Sequence, residues 1–293
     1  MSIDVVIPAY NAEAFLAKAL DSVLAQTVRP HQILVVDDGS TDATLSVVEK
    51  YGAAVRLLTQ KNAGPSVARN RGVAESQSTF IAFLDADDWW HPTKLAEQLA
   101  EMEKDPHYVL CYTGLTEEHP DGTQTFPDVA KPSTILERLR FLNPAITPSC
   151  VMLRRSAYES VGGFNPEANG CEDWELWVRL RQLGTFCAVE APLTNYRVSN
   201  TGVSSNADVL FRDFLRILDP ALLAGLSGWN RRVWRRRILG FQNFKSALTA
   251  RAAGETQKEV RYLRNSYLAW PSPFWPPRRF KVLLGTLRND FRD

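Results

Sequence analysis

Four short apolar runs, each closed by a polar turn and each followed by a helical pattern, leave this chain few folds to choose from. Ile3–Ile7, Ile33–Val36, Ala54–Leu58 and Phe80–Leu84 are apolar almost throughout. Strands of that kind belong to a parallel sheet covered on both faces. Between them, Phe15, Leu16, Ala19, Leu20 and Val23 recur at helical spacing within residues 12–25. Leu45 and Val48 mark a second helix, and Pro65 opens a third that runs through Arg69 and Val73. Pro8 is expected to stop the first strand. The fold class is therefore α/β, a sandwich around a mostly parallel central sheet.

The chemistry gathers where these strands end. Phe83-Leu84-Asp85-Ala86-Asp87-Asp88 puts three carboxylates within four residues at the carboxyl end of a buried strand. Open α/β sheets bind ligands there, and spaced carboxylates suit a hard divalent cation shared with phosphate oxygens. A solvated acidic turn leading into the helix after Pro92 is the alternative. The sequence contains neither GxGxxG nor GxxxxGK[ST], which weakens a dinucleotide or P-loop reading. Four dispersed cysteines without a CxxC pair, and four scattered histidines, argue against a zinc site and for buried, reduced thiols. No apolar run approaches the roughly 20 residues of a membrane span. The first strand, with Asp4 inside it, does not resemble a secretory leader. A cytoplasmic chain is expected.

Four strings occur in order: Val6-Ile7-Pro8-Ala9-Tyr10-Asn11, Val36-Asp37-Asp38-Gly39-Ser40-Thr41-Asp42, Asn62-Ala63-Gly64 with Ala68-Arg69-Asn70-Arg71-Gly72, and the acidic string at 83–88. Together they resemble the family-2 inverting glycosyltransferases of the GT-A fold, over roughly residues 1–205. The resemblance implies a nucleoside-diphosphate sugar donor, with uracil favoured, and Mn²⁺ or Mg²⁺. It implies a nucleotide-sugar site of Pro8, Tyr10, Asp38, Arg69 and Asp85, in which Tyr10 stacks on the base, Asp38 accepts its N–H, Asp85 lies near the ribose and Arg69 near the nucleotide or its phosphates. Asp87 is implied as the metal ligand. Relatives often carry a histidine two residues after the arginine matching Arg197; here that position is Ser199. Asp87 would then hold the metal with water and phosphate oxygens.

Farther on, Cys171-Glu172-Asp173-Trp174-Glu175-Leu176-Trp177 resembles the family's segment that supplies the catalytic base. Two carboxylates compete. Asp173 shares a helical face with Leu176, Trp177 and Leu180, whereas Glu172 shares one with Glu175, Arg179 and Gln182, expected to be a polar surface. Asp173 is thus the expected base and Glu172 the second candidate. Strands are expected at Tyr108–Tyr112, Ser149–Leu153 and Leu193–Val198, with a loop or hairpin at 116–132.

Residues 1–207 hold 17 basic and 26 acidic residues, and residues 208–293 hold 17 and 7. This asymmetry sets a basic, mostly helical extension (206–293) beside an acidic catalytic domain (1–205, divided into a nucleotide half, 1–115, and an acceptor half, 116–205). Trp229–Leu239 and Trp270–Lys281 mix cations with aromatics, and Phe280, Leu283, Leu284 and Leu287 fall at i, i+3, i+4 and i+7. An anionic membrane surface suits such segments. Packing on the acidic body or a homodimer is the rival, and nucleic acid is disfavoured. The expectation is an inverting transfer to a saccharide or lipid-linked acceptor in envelope polysaccharide or glycolipid synthesis. A nucleotidyltransferase and a non-catalytic nucleotide-sugar scaffold are the alternatives.

Overall fold

The computed structural model describes residues 1–143, 146–168, 170–199 and 206–272, with 276, 279, 280, 282 and 283. Residues 1–139 and 143–199 form one compact unit; residues 140–142 and 200–293 form the other. The boundary expected at 205/206 adjoins a stretch outside the described residues, and Leu284 and Leu287 lie outside them.

The first unit is built on one nine-stranded sheet, ordered β3-β2-β1-β4-β8-β6-β9-β5, with β7 paired to β6. Its strands are β1 (Ile3–Ala9), β2 (Gln32–Asp37), β3 (Arg56–Thr59), β4 (Phe80–Phe83), β5 (Trp89–Trp90), β6 (Tyr108–Glu118), β7 (Gln124–Thr125), β8 (Val151–Arg154) and β9 (Thr185–Arg197). The helices are α1 (Leu16–Leu24), α2 (Thr44–Glu49), α3 (Pro65–Ala74), α4 (Lys94–Met102), α5 (Ile135–Leu139), α6 (Arg155–Ser160) and α7 (Glu172–Leu180). β1, β2, β3 and β4 are parallel, as is β6 with β9, while β8 joins the two sets antiparallel to both β4 and β6.

Successive strand residues point to opposite faces, and both faces are covered. Val5 and Ile7 of β1 share a core with Leu16, Leu20 and Val23 of α1 and with Leu95 and Met102 of α4. Val6 points the other way, under α3, where a Cβ on Gly72 would lie 2.4 Å from Val6 Cγ1. The helix can sit that close only because residue 72 has no side chain.

Three expectations needed correction. Pro8 does not stop β1: Pro8 and Ala9 continue the register with Val36 and Asp37. The even positions of β1 address β4, where Val6 O accepts Leu84 N as the last bond, so the missing N–H of Pro8 falls beyond the ladder and costs it nothing. The acidic turn does not lead straight into the helix after Pro92: Trp89 and Trp90, which lie between, form β5, antiparallel to β9. The last strand begins at Thr185 rather than near Leu193, with register shifts against β6 around Gly114.

The second unit contains α8 (Ala207–Ile217), a π-helical turn (Leu218–Leu222), α9 (Gly228–Ala252) and α10 (Thr256–Ala269). Ala207, Phe244, Ala247, Ala250, Tyr262 and Leu263 form its core. Residues 140–142 belong to it: the Phe141 ring packs on Trp234 (5.5 Å) and Phe241 (5.8 Å), and Phe141 O accepts from Gln242 Nε2. Among the described residues, no helix is long and apolar enough to cross a membrane.

Candidate active site

A cavity of about 640 Å³ opens at the carboxyl ends of β1, β2 and β4. Its walls include Pro8, Tyr10, Asp38, Arg69, Asp85 and Asp87, so six of the eight expected site residues line one space. Glu172 and Asp173 are not among its lining residues, but both interact electrostatically with Arg69 at its edge.

The loops around the cavity are laced by side-chain to backbone bonds. Asn11 adopts a left-handed conformation (φ 48°), which asparagine tolerates better than most residues. Its N–H donates to Ser40 Oγ (2.9 Å) and its Oδ1 accepts Thr41 N (2.8 Å), tying the end of β1 to the end of β2. Asp38 accepts from Gln60 Nε2 (2.8 Å) and Ala63 N (2.9 Å) on one oxygen and from Gly64 N (2.7 Å) on the other. A carboxylate offers about four lone-pair positions, so Asp38 shapes the β3–α3 loop and keeps acceptor capacity for one more donor. Tyr10 is 52% exposed at the lip.

The three carboxylates after β4 have separate surroundings. Asp88 is buried, accepting Ser149 Oγ (2.5 Å) and Arg197 N (2.9 Å). Ser149 Oγ also accepts Asp85 N (3.0 Å), so one hydroxyl pins both ends of the acidic turn. Burial, together with the Asp85 and Asp87 charges, holds the Asp88 carboxyl well above the usual range. Asp85 is ion-paired to Arg69 (2.5 Å). Asp87 faces the cavity, and its carboxyl is raised by burial and by the Asp85 charge, with Arg197 opposing.

Among the described residues, no three histidine, cysteine, aspartate or glutamate groups gather closely enough to hold a metal by themselves. The donor set nevertheless fits a cation. Asp87 offers carboxylate oxygens to the cavity, with its charge disfavoured by the neighbouring Asp85, and Mg²⁺-like ions are commonly bound by one or two carboxylates plus substrate phosphates.

Arg69 joins the acidic turn after β4 to α7. It is 4% exposed, with Nη2 on Asp85 Oδ1 and Nη1 3.5 Å from Glu172 Oε1. Its expected place beside the nucleotide is therefore shared with two carboxylates. Asp173 accepts Trp174 N on Oδ1 (2.6 Å) and Asn143 Nδ2 on Oδ2 (2.6 Å). Desolvation, then the Glu172 charge, push the Asp173 carboxyl up to about 7, partly offset by Arg69.

The expected polar surface of α7 is mostly covered: Gln182 alone of that face is exposed, while Glu172 and Arg179 are half-buried. Glu175 is 6% exposed and pairs with Arg179, whose guanidinium also donates to Val161 O and Gly163 O. Those two carbonyls belong to the turn at residues 161–163, so the charges on this face are covered by pairing with each other and with that turn. Asn11, Phe15, Asn143, Ser149 and Tyr196 belong to the site surroundings and were not assigned by sequence reasoning. Tyr196 was visible only as a member of the expected strand Leu193–Val198, and Ser149 only as the first residue of the expected strand Ser149–Leu153.

Comparison with known proteins follows the same lines. A family model described as glycosyl transferase family 2 matches residues 4–162. A Bacillus subtilis (strain 168) protein described as a teichuronic acid biosynthesis glycosyltransferase, TuaG, is 30% identical over 211 residues, covering 70% of this chain and 82% of TuaG. The chondroitin synthase of Pasteurella multocida (strain Pm70) is 30% identical over 187 residues, covering 63% of this chain and 19% of the synthase; the chain thus spans about a fifth of that protein. Among solved structures, S. aureus TarS 1-349 in complex with UDP-GlcNAc superposes with a TM-score of 0.66 at 19% identity, covering 92% of this chain and 81% of that one. The mannosyltransferase PcManGT from Pyrobaculum calidifontis, in complex with GDP-Man and Mn²⁺, gives 0.57 at 19% identity, covering 97% and 84%.

Proposed function

The chain belongs to glycosyl transferase family 2, and from that premise we propose that it transfers a sugar from a nucleoside diphosphate, UDP in preference, to an acceptor hydroxyl with inversion at the anomeric carbon. The observation that carries this reading is the Asp85–Arg69–Glu172 chain, which links the cavity's donor-side carboxylates to the helix bearing Asp173. In this reading Tyr10 stacks on the base and Asp38 accepts its imide N–H. Pro8 and Asp85 border the sugar-nucleotide, with Asp85 toward the ribose. Arg69 holds Asp85 in place and adds positive charge near the diphosphate.

Asp87 would hold Mn²⁺ or Mg²⁺ together with diphosphate and water oxygens; such a cation stabilises the charge on a departing diphosphate. Asp173 takes the proton from the acceptor hydroxyl as that oxygen attacks. The raised Asp173 carboxyl supports this role, because a base titrating near neutrality accepts a proton more readily than an ordinary aspartate.

The names of TuaG and the chondroitin synthase support a polysaccharide acceptor, and the ligand of TarS supports a UDP-sugar. The basic helices support a cytoplasmic enzyme that meets an anionic membrane surface, where a lipid-linked acceptor would lie. The test is incubation of the full-length protein with Mn²⁺, UDP- and GDP-sugars and saccharide acceptors, reading the anomeric configuration of the product by NMR. Asp87→Ala and Asp173→Ala should each lower kcat by about 10²–10⁴ without unfolding the protein. Retained configuration or unchanged turnover in Asp173→Ala would remove the base assignment.

A further inference from the structure

Helix α7 is held to the loop between residues 139 and 146 at three points. Trp174 Nε1 donates to Leu139 O (2.5 Å), Trp177 Nε1 donates to Ile146 O (2.9 Å), and between them Asn143 Nδ2 donates to Asp173 Oδ2 (2.6 Å). The Asn143 amide is itself fixed. Its Oδ1 accepts Ile146 N (3.1 Å) and its Nδ2 also donates to Ile146 O (3.1 Å), so the loop's own turn dictates which end of the amide meets the carboxylate. An amide flip would break both turn bonds and set Oδ1 against Asp173.

We propose that Asn143 is a positioning residue that aims the Asp173 carboxylate and stabilises its ionised form. This rests on Asp173 being the base. With Oδ2 engaged by Asn143 and Oδ1 by Trp174 N, the carboxylate plane is fixed at both oxygens and each keeps a free lone pair for an incoming hydroxyl. Donation to the charged form counters the neighbours that disfavour it. Those neighbours are Glu172 on α7 itself and Asp85 beyond β4, with Arg69 of α3 as the balancing cation; Tyr196 of β9 also lies within electrostatic reach. Without the amide, Asp173 would stay protonated to higher pH and would rotate about its side-chain bonds.

Two substitutions separate aim from scaffolding. Asn143→Ala removes the donor and the turn bonds. Asn143→Asp is isosteric and keeps an acceptor for Ile146 N while losing the donor. For identifying the Asp173 signal Asp173→Ala is preferable to Asp173→Asn, which would turn a second NH₂ against an existing donor.

The experiment is a ¹³C-carboxyl NMR titration of full-length protein labelled at aspartate. The Asp173 midpoint should move up by about one pH unit in Asn143→Ala, tenfold in its ionisation constant, and further in Asn143→Asp, which adds a negative charge. In parallel, UDP release from UDP-GlcNAc with Mn²⁺ should show kcat down about tenfold with donor KM unchanged, and the acidic limb of the kcat profile displaced by the same amount. An unmoved Asp173 midpoint in both variants overturns the proposal, even if kcat falls. A wild type that releases no UDP from any nucleotide sugar counts against the transferase reading, while the carboxyl titration still decides the role of Asn143.

Discussion

Burial and the Glu172 charge push the Asp173 carboxyl up to about 7, so at neutral pH about half of the molecules would carry the base in its active, ionised form. The sign follows directly. A raised carboxyl loses its charge as pH falls through about 7, so kcat should drop about tenfold per pH unit below that point and level off above it. A pH–rate profile with its acidic limb near 4 would show that Asp173 titrates as an ordinary aspartate. Ser149 belongs to the same scale. Its hydroxyl serves Asp88 and the Asp85 N–H together, so Ser149→Ala should cost about 1–3 kcal/mol in urea unfolding and raise donor KM, the acidic turn having lost its pin. Lys94 offers a third residue-level test. It is fully buried over the Trp90 ring with Nζ on Gln98 Oε1, and desolvation lowers its amine from 10.5 to about 7. Between about pH 7 and 10.5 the unfolded chain then binds the extra proton, so this lysine makes the fold more stable as pH rises, by at most about 1.4 kcal/mol per pH unit. Urea unfolding of wild type and Lys94→Met at pH 7 and pH 9 should show that slope only in the wild type.

At the scale of elements, α3 lies tight against β1 and β2 at Gly72. Gly72→Ala would drive a Cβ to 2.4 Å from Val6 Cγ1 and 3.3 Å from Val36 Cγ2. Overpacking of this kind should lower stability by about 1–3 kcal/mol, read as a lower urea midpoint with an unchanged slope. The parallel half of the sheet was legible because its strands are apolar throughout and end in turn chemistry. The ends of β1 and the start of β9 were not. Pro8 reads as a stop unless the partner on that side is known to have ended. Thr185–Val189 carries little alternation, and its pairing with β6 is broken by shifts that only the three-dimensional neighbour reveals. In the site, carboxylates at strand ends were visible from position alone. Asn143 was not, because its value lies in a contact 30 residues away and its sequence surroundings signal only a loop. Glu172 was misplaced for a related reason: helical periodicity reports a polar face but not whether Arg69 and Arg179 cover it.

Across the whole molecule, charge is divided as the sequence divides it, with 17 basic against 7 acidic residues after position 207. Trp229 is 74% exposed at the start of α9, and Arg232, Arg235 and Arg236 follow it on exposed positions. Flotation with phosphatidylcholine vesicles should recover little protein, and inclusion of phosphatidylglycerol should recover more, with the gain lost in 0.5–1 M salt, roughly, where the screening length falls toward about 3 Å. A Trp229→Ala/Arg232→Glu double variant should float less. Equal flotation on neutral and anionic vesicles would end the electrostatic reading.

The grouping of residues 140–142 with the C-terminal helices bears on how such a chain can be recombined. A single crossover near residue 200 would separate Trp234, Phe241 and Gln242 from the Phe141 they pack against. Grafting a different helical module onto this catalytic unit therefore requires two exchanges, one at the carboxyl end and one of three residues in mid-sequence. Those three residues lead directly into Asn143. Chimeras that ignore them should express less soluble protein than chimeras that carry them, because the helical module is then a discontinuous part rather than a terminal cassette that one cut can trade.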